Sequence, residues 1–192
     1  MNYLIVYAHP NKLSFNHALK ETAVKFLTER GCNVEIRDLY EISFNPVLSS
    51  SDFITFSEGK VPDDIKKEQD YITKADKIIF ISPIWWTSFP AILKGYFDRI
   101  FSYGFAYLYE NHEARGLLNG KEALFISTTS TPYDIYKVRG YHDSLEMLQD
   151  EGILKFSGFK TLEHLFFGDV PFVTDIERKE YLLELERVLE KF

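Results

Sequence analysis

The stretch that decides the fold is Tyr3-Leu4-Ile5-Val6-Tyr7-Ala8, followed directly by His9-Pro10-Asn11-Lys12-Leu13-Ser14-Phe15-Asn16. The first six residues are continuously apolar, as a parallel strand covered on both faces must be. Ser14 is placed to cap a helix in which Phe15, Leu19, Ala23, Phe26 and Leu27 recur at helical spacing, and Gly31 supplies its stop. A buried first strand that runs into a helix start makes an anion site. The first helical turn leaves N–H groups free, and the helix dipole adds positive potential there. The elbow lacks the glycines of the two commonest nucleotide loops, G-x-G-x-x-G and G-x-x-x-x-G-K-[ST]. A phosphate held here is held by a loop of His, Pro, Ser and Asn.

Outward from this elbow, strand and helix patterns alternate. Residues 34–37 alternate in polarity, as in a half-exposed strand near a sheet edge. Residues 39–60 have weak periodicity and read as an ordered loop around Phe44-Asn45-Pro46-Val47-Leu48. Pro62 opens a helix that runs to Ala75. Residues 77–82 form a third strand, and Pro90 lies early in a helix that presents Leu93, Phe97 and Ile100 on one face. Residues 105–119 read as irregular. Residues 123–127 make a fourth strand, 143–150 a short helix and 162–167 a fifth strand. Thr174-Asp175-Ile176-Glu177 is a capping box for the last helix, which runs to Phe192. The pattern predicts one α/β domain over residues 1–192. Its core is a doubly wound parallel sheet of five strands in the order 2-1-3-4-5, with helices on both faces. Ligands of such sheets bind beyond the carboxyl ends of the strands, beside the switch point between strands 1 and 3. That rule selects the loops 9–16, 83–87 and 128–132.

Composition narrows the partners. A formal net charge of −7 argues against sequence-independent binding to nucleic acid or to an anionic membrane surface. The single cysteine, Cys32, excludes an intrachain disulfide and a cysteine-based metal site. His17, His112 and His164 show no metal-ligand spacing, so no metal is expected. No stretch approaches the roughly 20 apolar residues of a membrane span, and no basic segment precedes the first apolar one. A cytoplasmic protein without membrane insertion is the expectation.

Each selected loop offers chemistry. The first presents Ser14, Phe15 and Asn16 at a helix start, with His9 at the strand end as either a phosphate partner or a satisfied core histidine. The second holds Pro83, Ile84, Trp85, Trp86 and Thr87, and its large flat side chains suit a planar ligand. The third, Thr128, Thr129, Ser130 and Thr131, is a hydroxyl cluster able to bond the edge of a heterocycle. Tyr136 and His142 follow, and a phenol and an imidazole can stabilise negative charge on a ligand or move a proton. No Gly-x-Ser-x-Gly elbow is present.

Together these residues resemble the flavodoxin-fold NAD(P)H:quinone oxidoreductases. The small bacterial members, of the general stress protein 14 or modulator of drug activity type, are nearest in length. The resemblance runs through Ala8-His9 and Ser14-Phe15-Asn16, Asp38-Leu39-Tyr40, Phe44 to Leu48, Glu58-Gly59, Pro90 to Gly95 and Phe105-Ala106-Tyr107. It continues in Thr128-Thr129, Gly140 with His142, Gly152-Ile153-Leu154 and Phe156 with Gly158-Phe159. It implies a flavodoxin-like domain with a bound flavin. The phosphate would sit on Ser14, Phe15 and Asn16 beside His9. The ring would lie along residues 83–87, its polar edge towards residues 128–131. Tyr136 and His142 match the family's charge-stabilising pair. Hydride would pass from NAD(P)H to flavin N5 and on to a quinone in a ping-pong cycle. Homodimers would share an active site lined by Trp86, Tyr107, Tyr109 and Phe156.

The third loop departs from the family's Thr-Thr-Gly-Gly. Ser130 and Thr131 replace the glycines and narrow the approach to the ring. The chain stops short of the larger animal enzymes that carry FAD, which favours FMN with FAD as the alternative. Other functions that fit the resemblance are an ancillary subunit of a potassium efflux system and a reductase of nitro or azo compounds. A one-electron flavodoxin fits less well, because its phosphate loop is usually Thr/Ser-rich with glycine.

Overall fold

Six strands build the main sheet, and the first of them, β1 (Asn2–Tyr7), is the apolar run that opens the chain. The computed structural model describes residues 1–162 and 164–192. After β1 come α1 (Phe15–Glu29), β2 (Asn33–Asp38), α2 (Ser50–Ser57), α3 (Asp63–Lys74), β3 (Lys77–Pro83) and α4 (Ala91–Ile100). A hairpin of β4 (Tyr107–Glu110) and β5 (Glu113–Gly116) precedes β6 (Glu122–Thr128). Then follow α5 (Tyr133–Val138), α6 (Tyr141–Leu145), a π-helical stretch (Glu146–Lys155), β7 (Lys160–Thr161), β8 (Leu165–Phe167) and α7 (Asp175–Leu189).

The sheet is parallel, with order β2-β1-β3-β6-β7, and β8 also pairs with β6. This is the expected 2-1-3-4-5 winding, with its fifth strand in two pieces. β7 joins β6 at Glu122 and Ala123, and β8 joins it from Ile126 to Thr128. The interruption carries His164, whose ring is bonded to Ser127 and Asp150. Glu163, within the expected strand 162–167, lies outside the described residues.

Alternate residues of the central strands face opposite layers. Leu4, Val6, Ile78, Phe80, Ala123 and Phe125 pack under Ile65 and Ile72 of α3 and Leu93, Phe97 and Ile100 of α4. Tyr3, Ile5, Ile79, Ile81, Leu124 and Ile126 pack under Leu19, Ala23 and Leu27 of α1 and Leu185 and Leu189 of α7. Both faces are therefore covered, which explains why the middles of β1, β3 and β6 are apolar on both sides.

The ordered stretch 39–60 contains a helix that periodicity concealed. α2 keeps Phe53 and Ile54 exposed, so it lacks an apolar stripe, yet Ser49 and Asp52 close a capping box at its start. The preceding loop is pressed onto α4, where a Cβ on Gly95 would lie 2.1 Å from the Pro46 carbonyl oxygen. The irregular stretch 105–119 contains the β4–β5 hairpin. Its turn places Asn111 and His112 at positive φ, so the usual Asn-Gly signal is missing. The helix expected over 143–150 starts earlier, after Gly140 at φ +70°, and becomes π-helical from Glu146.

Candidate active site

The loops chosen by the switch-point rule meet in one cleft of about 650 Å³ at the carboxyl ends of β1, β3 and β6. Three neighbouring parallel strands end there, and the Ile84 amide donates to the Thr128 carbonyl at 2.8 Å to fix two of the loops. Ser14 caps α1 as expected, its Oγ accepting from the His17 amide at 3.2 Å. The amides of Phe15 and Asn16 in the first turn make no backbone hydrogen bond inside the described chain and line the cleft. Asn16 is buried. Its Nδ2 donates to Thr128 Oγ1 at 2.7 Å, whereas its Oδ1 has no partner among the described residues. His9 accepts from the Asn11 amide at Nδ1, at 3.0 Å, which leaves the proton of its neutral ring on Nε2. Burial holds the pKa of His9 below its ordinary value of 6.5.

The structure divides the second loop. Pro83, Ile84 and Trp85 line the cleft, and Trp85 meets His9 edge-on with ring centres 5.9 Å apart. Trp86 and Thr87 form the tip of a two-residue turn closed by Trp85 and Ser88, with φ of 52° and 54°. Left-handed backbone at two residues with side chains costs about 1–2 kcal/mol at each. The indole of Trp86 stands 98% exposed outside the cleft. The third loop divides too. Thr128, Thr129 and Ser130 line the cleft, while the Thr131 carbonyl accepts from Thr129 Oγ1 at 2.5 Å.

Tyr136 and His142 are both buried, but no hydrogen bond joins them. Tyr136 packs with Ile84 of the cleft loop and with Leu145. Burial raises its pKa, so the phenol keeps its proton at neutral pH. The phenol nearest His142 is that of Tyr133, at 3.4 Å from Nε2. Tyr107, Tyr109 and Phe156 come together in a separate aromatic cluster. Ring centres lie 5.9 Å apart for Tyr107–Tyr109 and 5.2 Å apart for Tyr107–Phe156. These three and Trp86 lie outside the lining of the cleft in the single chain.

Sequence reasoning missed Arg178, Val170 and Pro171, which complete the cleft wall from the α7 side. Arg178 is held by the Val170 carbonyl at 3.2 Å and by Asp175 at 3.0 Å. No local signal marks it, because only the docking of α7 on α1 brings it to the cleft. Also missed was a buried chain of Ser127 Oγ, His164 and Asp150, with both links at 2.8 Å. Its distances are those of a nucleophilic triad. Ser127 is only 1% exposed and lines none of the cavities described, so the chain serves as an internal tie between β6 and the π-helical stretch.

Burial depresses the pKa of His164 below 6.5, against the opposing pull of Asp150. The unfolded chain then takes up a proton that the folded ring resists. Stability is fully present above about pH 6.5 and falls as pH drops through that value. Urea midpoints taken between pH 8 and pH 5 are expected to decline below 6.5, and His164→Asn is expected to flatten that decline. An equal slope in the variant would assign the acid sensitivity elsewhere, His9 being the next candidate.

Comparison with known proteins gives a consistent picture. A protein family described as having a flavodoxin-like fold matches residues 1–190. A Haemophilus influenzae protein named an uncharacterized NAD(P)H oxidoreductase is 42% identical over 180 residues, which cover 93% of this chain and 89% of its own. Rat NAD(P)H dehydrogenase (quinone) 1 is 36% identical over 180 residues, covering 83% of this chain, and the match spans 66% of the rat enzyme. Among solved structures, the NAD(P)H:quinone oxidoreductase of Methanothermobacter marburgensis superposes with a TM-score of 0.88 at 29% identity, covering 97% of this chain and 94% of its own.

Proposed function

This chain belongs to the flavodoxin-like fold family, and on that premise we propose that it is a flavin-dependent NAD(P)H:quinone oxidoreductase. The observation that carries the reading is the single cleft in which the Ser14–Asn16 helix start, the Pro83–Trp85 wall and the Thr128–Ser130 hydroxyls converge. The quinone reductases among the relatives support it. The residues fit a flavin mononucleotide. Free amides at a helix start suit its phosphate, and the Oδ1 of Asn16, without a partner among the described residues, suits a hydroxyl donor. FAD remains the alternative, with Arg178 at the cleft as a cation for a second phosphate.

When bound, the flavin would take hydride from NAD(P)H at N5 and release it to a quinone. The protein would supply position and charge. Ser14, Phe15, Asn16 and His9 hold the phosphate end. Pro83, Ile84 and Trp85 wall the ring, and Thr128, Thr129 and Ser130 face its polar edge. Tyr136 and His142 stabilise the negative charge that arrives with hydride. Trp86, Tyr107, Tyr109 and Phe156 line the quinone pocket once two chains pair. The bare indole of Trp86 and the half-exposed Tyr109 and Phe156 support such a homodimer, because exposed aromatic surface favours being covered. The reading places the reaction in the cytoplasm. No helix among the described residues is long and apolar enough to cross a membrane.

Purified protein should be yellow and should release FMN on denaturation. It should oxidise NADH or NADPH when menadione is supplied. A chain that stays colourless after incubation with FMN and with FAD would overturn the proposal.

A further inference from the structure

His142, Asp143 and Glu146 stand at positions i, i+1 and i+4 where α6 runs into the π-helical stretch. Residues four apart share a helix face, so His142 and Glu146 meet there, and Asp143 reaches the same point from the next residue. Nδ1 of His142 lies 3.4 Å from Asp143 Oδ1 and 3.5 Å from Glu146 Oε2, and the three donor atoms all lie within 4.8 Å of one another. The expectation of no metal rests on His17, His112 and His164, none of which belongs to this set.

These separations are long for hydrogen bonds to a nitrogen, which centre on about 2.9–3.0 Å. They fit donor atoms that share an ion. Zinc binds imidazole nitrogen at about 2.0–2.1 Å and carboxylate oxygen at about 2.0–2.2 Å, so the edge of its tetrahedron is about 3.3–3.5 Å. Charge points the same way. Two carboxylates converge on one ring nitrogen, and among the described residues no lysine or arginine pairs with either. The buried carboxylates of Asp52 and Glu68, by contrast, each have an arginine. A divalent cation balances Asp143 and Glu146 together and leaves the imidazole neutral, as ligation requires.

The nitrogen donor is held in place. His142 is 8% exposed, with the Phe166 ring 4.5 Å from its own and Tyr133 edge-to-face at 5.2 Å. A metal on Nδ1 leaves the ring proton on Nε2, and the Tyr133 hydroxyl oxygen, 3.4 Å away, is placed to accept it. Such a partner on the far nitrogen fixes the tautomer that offers Nδ1. His142 and Glu146 also line a second cavity of about 360 Å³, with room for the water that completes a four-coordinate shell. Asp143 is exposed, which gives an ion a path from solvent. None of the three residues lines the cleft at the ends of β1, β3 and β6.

We propose that His142 Nδ1, Asp143 and Glu146 form a binding site for a zinc-type divalent cation, with water as the fourth ligand. The imidazole nitrogen disfavours calcium and magnesium, which prefer shells of oxygen. The ion ties α6 to the first turn of the π-helical stretch, beside Phe166 of β8. Because the three donors converge only in the folded chain, the ion raises stability by mass action.

The test uses the full, untagged chain as purified, treated with a chelator and dialysed. Titration with zinc chloride against a chromogenic zinc indicator is expected to show one ion per chain, with a raised melting temperature. The isosteric variants Asp143→Asn and Glu146→Gln alter side chains that reach solvent, so the fold should persist. Each is expected to weaken zinc binding by roughly tenfold or more, since removal of even an outer-shell partner costs about 10–100-fold. Cobalt(II) supplies a second readout. Its difference spectrum should show tetrahedral nitrogen and oxygen ligation without a thiolate band from Cys32. Nitrogen-15 spectra of labelled histidine should place the zinc on Nδ1 of His142. Zinc binding that survives both substitutions unchanged, a thiolate band, or no saturable binding would overturn the site. Calcium or magnesium that displaces zinc at equal concentration would overturn its assignment to a zinc-type ion.

Discussion

Arg99→Ala is expected to cost about 3–5 kcal/mol of folding stability, a large part of what a domain has. The Arg99 side chain is 4% exposed and carries its charge into the interior between α4, α2 and the loop before α2. Its Nε and Nη2 donate to both oxygens of Asp52, at 3.1 and 3.0 Å, and its Nη1 donates to the Asn45 carbonyl at 3.1 Å and to Asp64. Removing the guanidinium strands the Asp52 carboxylate, itself only 6% exposed, without a cation. The loss of the partner is therefore worse than the pair is good. The Arg99 hydrogen bond is the main reason Asp52 titrates below its usual 3.8, ahead of the Ser49 contacts. A depressed carboxyl contributes stability above that value and loses it as pH falls through the lower, folded pKa. A neutral partner should relieve the stranded charge. Arg99→Ala with Asp52→Asn is expected to be more stable than Arg99→Ala alone, since asparagine keeps an oxygen for the Ser49 cap. Urea unfolding decides it. A cost below 1 kcal/mol would place the pair with exposed ion pairs, which contribute little.

Much of the fold was legible because its signals are local. Ser14 before a helical apolar stripe and the continuous runs in β1, β3 and β6 need no tertiary knowledge. Pro62, Pro90 and Pro132 each immediately precede a helix in the structure. The signal is plain at the first two, where a long apolar stripe follows, and faint at the third, where α5 is only six residues long. The capping box of Ser49 and Asp52 could have revealed α2, but exposed Phe53 and Ile54 spoil its periodicity. The site was legible as far as strand order is. Once the strands were ordered, the cleft followed with most of its lining. What stayed hidden depends on packing between distant elements. Arg178 reaches the cleft only because α7 docks beside α1. Ser127, Asp150 and His164 meet only because the fifth strand breaks. Tyr133 and not Tyr136 lies against His142 because α5 and α6 turn at Gly140.

The double variant Tyr136→Phe, His142→Ala is expected to hold flavin but to lose roughly 10²-fold or more in the rate at which NAD(P)H reduces it. A positioned donor aimed at developing charge is commonly worth about 10²–10³. Neither residue belongs to the phosphate end or to the Pro83–Trp85 wall, so the flavin dissociation constant should move little. The single variants carry the sharper information. Tyr136 packs with Ile84 and Leu145, whereas His142 lies against Tyr133 and Phe166, with no hydrogen bond between the two. Groups that act separately give multiplicative losses, and groups that act as one give a double variant no worse than the worse single. The observed packing predicts near-multiplicative losses in stopped-flow reduction. A double variant that reduces within threefold of the parent would remove both residues from the chemistry. One that equals the worse single variant would mean that flavin binding draws phenol and imidazole together.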